Sequence, residues 1–263
     1  MTAGRFTHAL AREVSRSLAN CELVHLPRQK IDVARARRQH AAYVAALAAA
    51  GVRVRVLPEA PDLPDSSFVE DPVLLLDELA VACRPGAASR RPEVELMVRE
   101  IATLRPVHAI AAPGTLEGGD VLRMGRKLFV GLSCRTNREG IAQLARIVAP
   151  FGYEVVAVPV TGCLHLKSAV TSPAEGCLLA NVAWIDATPL AGFEIIGTPA
   201  EEPGAANVLA VNGRVLVTVS APRTAALLAA RSLDVRPLDI SELQKAEAAL
   251  TCESVLYREA RSP

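Results

Sequence analysis

The 263-residue chain sets 29 Lys and Arg against 28 Asp and Glu, a formal net charge of +1, so it has no electrostatic excess for holding nucleic acid or an anionic membrane. With 51% of residues apolar and only 3% aromatic, the chain is not disordered, and its core is built mainly from Ala, Val and Leu. The longest nearly apolar stretch, residues 41–52, contains Tyr43 and Gly51 and falls short of the ~18 residues that span a bilayer; Arg5, Arg12 and Arg16 leave no unbroken apolar run for a secretory leader, so a cytoplasmic location is expected.

In chain order, residues 7–14 form an apolar piece with no local partner, followed by a helical stretch over 33–50 and a strand-like stretch over 52–57. Around Asp71 the pattern predicts a hairpin with its turn at Asp77 and Glu78, ending at Arg84. Helical spacing of Val94, Met97, Val98 and Ile101 predicts a helix over 93–104, and an apolar stretch follows at 107–111. Residues 117–135 repeat the hairpin, turning at Gly125 and Arg126, and lead into a helix over 139–148 and a strand over 154–160. A third hairpin starts at His165 and turns near residues 174–176; the helical stretch after it, 186–193, is weakened by Pro189, and a strand follows at 193–196. The fourth starts at Asn207 and turns at Asn212-Gly213, the strongest short hairpin signal, before a helix over 224–231 and a strand over 235–240. Cys252 opens a fifth strand.

The anchors Asp71, Asp120, His165, Asn207 and Cys252 lie 49, 45, 42 and 45 residues apart, so the chain is an internal repeat. A hairpin, a helix and a further strand cannot cover their own apolar faces and must stack on copies of themselves. Five copies closing head to tail predict an α/β fold, a five-bladed propeller occupying residues 1–263 as one domain, with the N-terminal pieces completing the blade that Cys252 begins. The five anchors then converge on the axis.

Those residue types suit one chemistry. A free thiol ionises near pH ~8.5 and is a poor nucleophile at neutral pH unless a cation favours its ionisation, and here the cation can be the substrate. Asp65, Glu70, Asp71, Glu117 and Asp120 would repel one another unless they bind something positive. A planar guanidinium matches carboxylates in forked geometry, and its central carbon is an electrophile for a thiolate. Arg84 and Arg135, at corresponding ends of two hairpins, are placed to hold a carboxylate at the far end of the same ligand. A zinc pair through Cys163 and His165 lacks a second pair of ligands, and six cysteines without a Cys-x-x-Cys spacing read as reduced thiols.

At these residues the chain resembles the dimethylarginine dimethylaminohydrolase family of guanidino-group-modifying enzymes. The likeness runs through residues 31–40, Leu63-Pro-Asp-Ser-Ser-Phe-Val-Glu-Asp, residues 84–91, Leu116-Glu-Gly-Gly-Asp-Val, residues 129–137, Leu164-His-Leu-Lys-Ser and Leu250-Thr-Cys-Glu-Ser-Val-Leu. The resemblance implies the pentein form of the propeller and hydrolysis of asymmetric dimethylarginine or monomethylarginine to citrulline and a methylamine, without metal or organic cofactor. It implies Cys252 as nucleophile, His165 as general acid and base, and Glu117 as the catalytic acid beside it. It further implies substrate contacts from Glu70 and Asp71 in the pocket, Asp65 near the α-amino group, Arg84 and Arg135 at the carboxylate, Leu23 on a lid, and Ala246 through its backbone. The substrate is a small molecule, and bacterial relatives imply a homodimer. Two positions depart from the pattern: Glu117 stands where some members have Asp, and Glu247 replaces an expected Asp; the lid stretch, 20–30, matches poorly. An arginine deiminase or another guanidine hydrolase, and a pentein-fold binding protein without turnover, are the competing readings.

Overall fold

Strand alternation writes itself into five separate three-stranded sheets in this computed structural model, which describes residues 5–259. The chain starts with β1 (His8–Arg12), α1 (Val33–Ala49) and β2 (Arg53–Leu57). The Asp71 blade follows with β3 (Val73–Leu75), β4 (Ala80–Ala82), α2 (Arg91–Ile101) and β5 (Val107–Ala109), and the Asp120 blade with β6 (Val121–Met124), β7 (Lys127–Leu132), α3 (Arg138–Val148) and β8 (Glu154–Pro159). In the His165 blade a single turn, α4 (Leu166–Ala169), precedes β9 (Val170–Ala174), β10 (Cys177–Ala180) and β11 (Glu194–Gly197). The Asn207 blade comprises β12 (Leu209–Val211), β13 (Arg214–Thr218), α5 (Pro222–Ala229) and β14 (Asp234–Leu238). After a short turn, α6 (Ser241–Gln244), the chain ends in β15 (Val255–Tyr257).

Every sheet has the same plan, an antiparallel pair extended by a parallel third strand. In the Cys252 blade the antiparallel pair joins the two ends of the chain, with His8 opposite Tyr257 and Leu10 opposite Val255, and β2 lies parallel to β1. The Asn212-Gly213 turn has φ of 50° and 89°, as a two-residue hairpin of this twist requires.

The middle strands β4, β7, β10 and β13 are apolar on both faces because each sheet is sandwiched between two others, while the parallel third strands such as β2 and β14 lie largely exposed at the rim. Successive residues of β7 face opposite ways: Leu128 and Val130 pack toward the Asp71 blade with Leu79 and Val81, while Phe129 packs toward the His165 blade with Leu178 and Ala180. Leu179 joins Val215 and Val217 of the Asn207 blade. Leu216 joins Ala9, and Leu10 joins Val73 and Ala80. Five apolar seams thus link five blades in a closed ring.

Three local expectations change. No α-helix covers 186–193; Pro189, which has no N–H to give, sits instead in a 3-10 turn over Thr188–Leu190. The Asp71 helix starts at Arg91, two residues early, with Pro92 in its first turn, where a missing N–H is harmless. Cys252 lies in a turn that ends before β15 begins, not on the strand itself.

Candidate active site

His165 caps the first turn of α4 from an extended conformation, and the Leu166 amide beside it donates to Asp120 Oδ1 at 2.9 Å. The imidazole Nε2 lies 2.6 Å from Glu117 Oε2, and both residues are buried. Glu117 is held in turn by the Gly86 amide at 3.0 Å and Arg135 Nη1 at 3.3 Å. On the other ring edge, His165 Nδ1 is 3.9 Å from Asp71 Oδ1. Burial by itself would lower the imidazole, but Asp71 and the Glu117 hydrogen bond raise it to about 9, so at neutral pH it is an imidazolium. Burial opposes ionisation of Glu117, yet its bond to His165 holds it below the usual carboxylate range.

Two glycines make this approach possible. A Cβ on Gly119 would stand 2.7 Å from both His165 Nδ1 and Asp71 Oδ1, and one on Gly118 would stand 2.0 Å from the Glu70 carbonyl. Without side chains, their amides instead reach Asp71: Gly119 N–H donates to Oδ1 at 3.0 Å and Gly118 N–H to the main-chain carbonyl at 3.0 Å.

Cys252 shares a small cavity with His165, Asp71, Asp65, Arg135 and Ala246. Its Sγ accepts the Ala249 amide at 3.4 Å, and its carbonyl accepts the Glu70 amide at 3.3 Å. Burial, reinforced by the negative charge of Asp71 and Glu70, pushes the thiol well above its ordinary value. The resting pair is therefore thiol and imidazolium. The cavity volume is about 20 Å³, little more than a water molecule needs, and Glu22 and Glu247 form part of its wall. Glu247, in a left-handed conformation at φ 56°, receives the amides of Val24 and His25 at 3.0 and 2.6 Å and that of Leu26 as well. Glu22 N–H donates to Asp65 Oδ2 at 3.1 Å. A larger cavity of about 440 Å³ lies outside, between α1 and β2, but no cysteine lines it.

Of the residues singled out in the sequence, Cys252, His165, Asp71, Asp65, Arg135 and Ala246 line the cavity, and Glu117 stands directly behind His165. Leu23, Glu70 and Arg84 do not line it. Leu23 packs onto the apolar seam beside α1, Glu70 is bound by Lys167 and Thr251, and Arg84 Nη1 donates to the Gly114 carbonyl at 3.1 Å. The arginine that faces the cavity beside Arg135 is Arg90, buried against Asp71 Oδ2 at 2.5 Å and Glu93 Oε2 at 2.8 Å. Hairpin equivalence pointed to Arg84 because it ends a strand; Arg90 follows in the connection to α2, within the stretch 84–91 that carried the family likeness. Asp120 and Asn207 reach the axis without lining the cavity, since their side chains are engaged by Leu166 and Ser133, and by Lys167 and Thr251.

Asp71, Glu117 and His165 each bring a ligand-type atom within 4.8 Å of the others. These atoms are already committed, Glu117 to His165 and Asp71 to Arg90 and Gly119, so the donor set fits an ion-paired relay better than a metal centre.

Five hairpin blades closed around a thiol, a carboxylate-bound imidazole and further carboxylates define a pentein of the guanidine-modifying class. A sequence profile described as N,N dimethylarginine dimethylhydrolase, eukaryotic, matches residues 23–229. The N(G),N(G)-dimethylarginine dimethylaminohydrolase of Streptomyces coelicolor is 42% identical over 252 residues, 95% of this chain and 97% of that protein. Among solved structures, the Pseudomonas aeruginosa dimethylarginine dimethylaminohydrolase, as a cysteine-to-serine mutant complexed with citrulline, superposes with TM-score 0.92 at 36% identity, covering 97% of this chain and all of that one. A dimethylarginine dimethylaminohydrolase adduct with S-methyl-L-thiocitrulline superposes with TM-score 0.91, also at 36% identity, over 96% of this chain and 100% of that one. The chain belongs to the dimethylarginine dimethylaminohydrolase family. Among the described residues, no helix is long and apolar enough to cross a membrane.

Proposed function

We propose that this protein hydrolyses Nω-methylated arginines to citrulline and a methylamine through a covalent intermediate on Cys252. The observation that carries the reading is the presence of Cys252 and the Glu117-bound His165 on the walls of one cavity that Asp71 also lines. Asp71 offers its carboxylate to the guanidinium, and the bound cation offsets the carboxylates that hold the thiol protonated, so the sulfur releases its proton to solvent as substrate binds. The thiolate then attacks the guanidinium carbon, forming a C–S bond. As the C–N bond to the methylated nitrogen breaks, His165 gives its proton to the departing amine, leaving a thiouronium on sulfur. The neutral imidazole next takes a proton from water and the hydroxide adds to the same carbon. The C–S bond breaks to restore the thiolate, and the proton on the added oxygen passes to solvent, where the released amine takes one up, leaving neutral citrulline. Glu117 keeps the ring oriented and stabilises its charged form. Arg135 and Arg90 are the candidates for holding the substrate carboxylate, with Asp65 and the Ala246 backbone at the amino group.

In this reading residues 1–263 act as one catalytic unit in the cytoplasm on a free small molecule, and the balanced charge supports the exclusion of nucleic acid and anionic membranes. The test is citrulline release from asymmetric dimethylarginine, monomethylarginine and arginine, measured side by side. Turnover of the methylated forms is expected to exceed that of arginine. Preference for arginine would transfer the site to a deiminase, and no citrulline from any of the three would leave a pentein that only binds.

A further inference from the structure

One charged pair at the axis takes no part in the steps above. Lys167, two residues beyond His165, has its ammonium on Glu70 Oε1, and its side chain is only 12% exposed. The other Glu70 oxygen accepts from Thr251 Oγ1 at 2.8 Å, and the Glu70 amide donates to the Cys252 carbonyl at 3.3 Å. Glu70 therefore grips the nucleophile's turn from both its side chain and its main chain. A second tie runs alongside: Asn207 Nδ2 donates to the Lys167 carbonyl at 3.0 Å and to Thr251 Oγ1 at 3.0 Å, while its Oδ1 accepts the Thr251 amide at 3.2 Å. The result is a closed loop of hydrogen bonds joining the residue before the sulfur to the turn after the imidazole. It crosses blades that share no covalent neighbour there.

We propose that Lys167 is a positioning residue of the hydrolytic site: by binding Glu70 while Asn207 holds its carbonyl, it fixes the His165 turn against the Thr251–Cys252 turn and neutralises the carboxylate that grips the nucleophile's turn. The inference rests on Cys252 being the nucleophile, as read above. Asp71 and Glu70 are the main charges that oppose ionisation of the sulfur; Glu253, buried without a hydrogen-bond partner, has its own carboxyl pushed well up by burial. Around the same cavity stand His165, Arg90, Arg135 and Asp65, with Glu22 and Glu247 at its wall. Asp71 is matched by Arg90 and Glu117 by His165; Lys167 is the cation matched to Glu70. Burial pushes the Glu70 carboxyl up from its ordinary value and the Lys167 ammonium is the strongest influence against that, so removing the ammonium takes away both the cation matched to Glu70 and the tie it makes to the Thr251–Cys252 turn.

The test follows iodoacetamide alkylation of the peptide carrying Cys252 across pH 6 to 10, which needs no substrate, alongside steady-state turnover of dimethylarginine. Lys167→Met is expected to slow alkylation at pH 8 about tenfold by moving the thiol up about one pH unit, and to lower kcat about tenfold, with KM changed less than about twofold because Lys167 does not line the cavity. Lys167→Arg, which keeps the charge, restores both. In the Glu70→Gln/Lys167→Met double variant the Glu70 charge is gone together with its cation, Asp71 stays matched by Arg90, and alkylation returns to within about twofold of the parent. The double variant also carries the test if Lys167→Met does not fold. Parent-like alkylation and kcat in Lys167→Met, or a double variant alkylated as slowly as the single one, overturns the proposal. Absence of citrulline from the unmodified protein, with the alkylation rates ordered as stated, overturns the proposed activity and leaves the Lys167 tie standing.

Discussion

The seams between blades and the axis they surround are built on opposite principles. A seam such as that of Leu79, Val81, Leu128 and Val130 is built mostly from aliphatic side chains, each contributing about 1.5–3 kcal/mol when fully buried, with no requirement on angle. The axis holds Arg90 between Asp71 and Glu93, His165 against Glu117, and Lys167 against Glu70. Such pairs add little net stability, because desolvation offsets their attraction, yet breaking one leaves a buried charge without its partner. The difference teaches where each task is housed. Five seams supply the burial that closes the ring, which leaves the axis able to keep carboxylates, a thiol and an imidazolium in proportions that no apolar core would tolerate. Changes at the axis should therefore reach activity before stability, and changes in the seams the reverse.

The largest break of that kind is Cys252→Ser. Citrulline release is expected to fall at least about 10⁴-fold, as when other covalent catalysts lose their nucleophile. Cys252 only borders the seam of Ala9 and Leu216 and the exchange replaces sulfur by oxygen without removing a heavy atom, so the thermal midpoint should move by no more than about 2 °C. Turnover persisting in this variant would remove the sulfur from the mechanism. Next in size is Gly119→Ala, whose Cβ is aimed at His165 Nδ1 and Asp71 Oδ1, each 2.7 Å away. Both groups are already held by other bonds, so the imidazole must yield, and a shift near 1 Å lowers kcat about 100-fold. A kcat within about twofold of the parent would mean that the axis is as pliable as a seam.

The repeat made the ring legible in sequence because each blade needs the same hairpin, and turns such as Gly125-Arg126 and Asn212-Gly213 punctuate it at the positions observed. Convergence of Asp71, His165 and Cys252 followed from their equivalent places in three repeats. What stayed hidden depends on side-chain reach. Arg90 sits in a connection, outside the hairpin pattern, and only its approach to Asp71 and Glu93 reveals it. Glu70 looked equal to Asp71 by adjacency, yet neighbouring residues point apart, and Glu70 turns toward Lys167 and Thr251. Glycine at 119 signals a close approach, but the groups it admits are 48 and 46 residues away in sequence.

A smaller change sharpens the electrostatic side of the comparison. His165 is raised to about 9, above its ordinary 6.5, so its pairing favours the folded state fully below about pH 6.5 and fades as the pH rises through about 9. Glu117→Gln removes one of the two main groups that raise it while keeping the shape of the contact. The alkaline limb of the kcat/KM profile, where the ring can no longer protonate the leaving amine, should move from near pH 9 toward neutrality by about one unit. An alkaline limb that does not move would assign it to another group.

The smallest effect is the most discriminating, because α2 belongs to both regions. Its first turn follows Arg90 and carries Glu93 at the axis; one and two turns later Met97 and Ile101 enter the seam with Leu10, Val73 and Ala80. Ile101→Val deletes one methyl group from a fully buried position and is expected to cost about 1 kcal/mol in urea unfolding, read as a lower midpoint with an unchanged slope. If seams only close the ring, kcat on dimethylarginine should stay within experimental error of the parent, since the Arg90 contacts with Asp71 and Glu93 depend on the other end of the helix. A fall in kcat that tracks the lost stability would show that strain travels along α2 to the charged axis, and the division between the two regions would then be one of composition and not of mechanics.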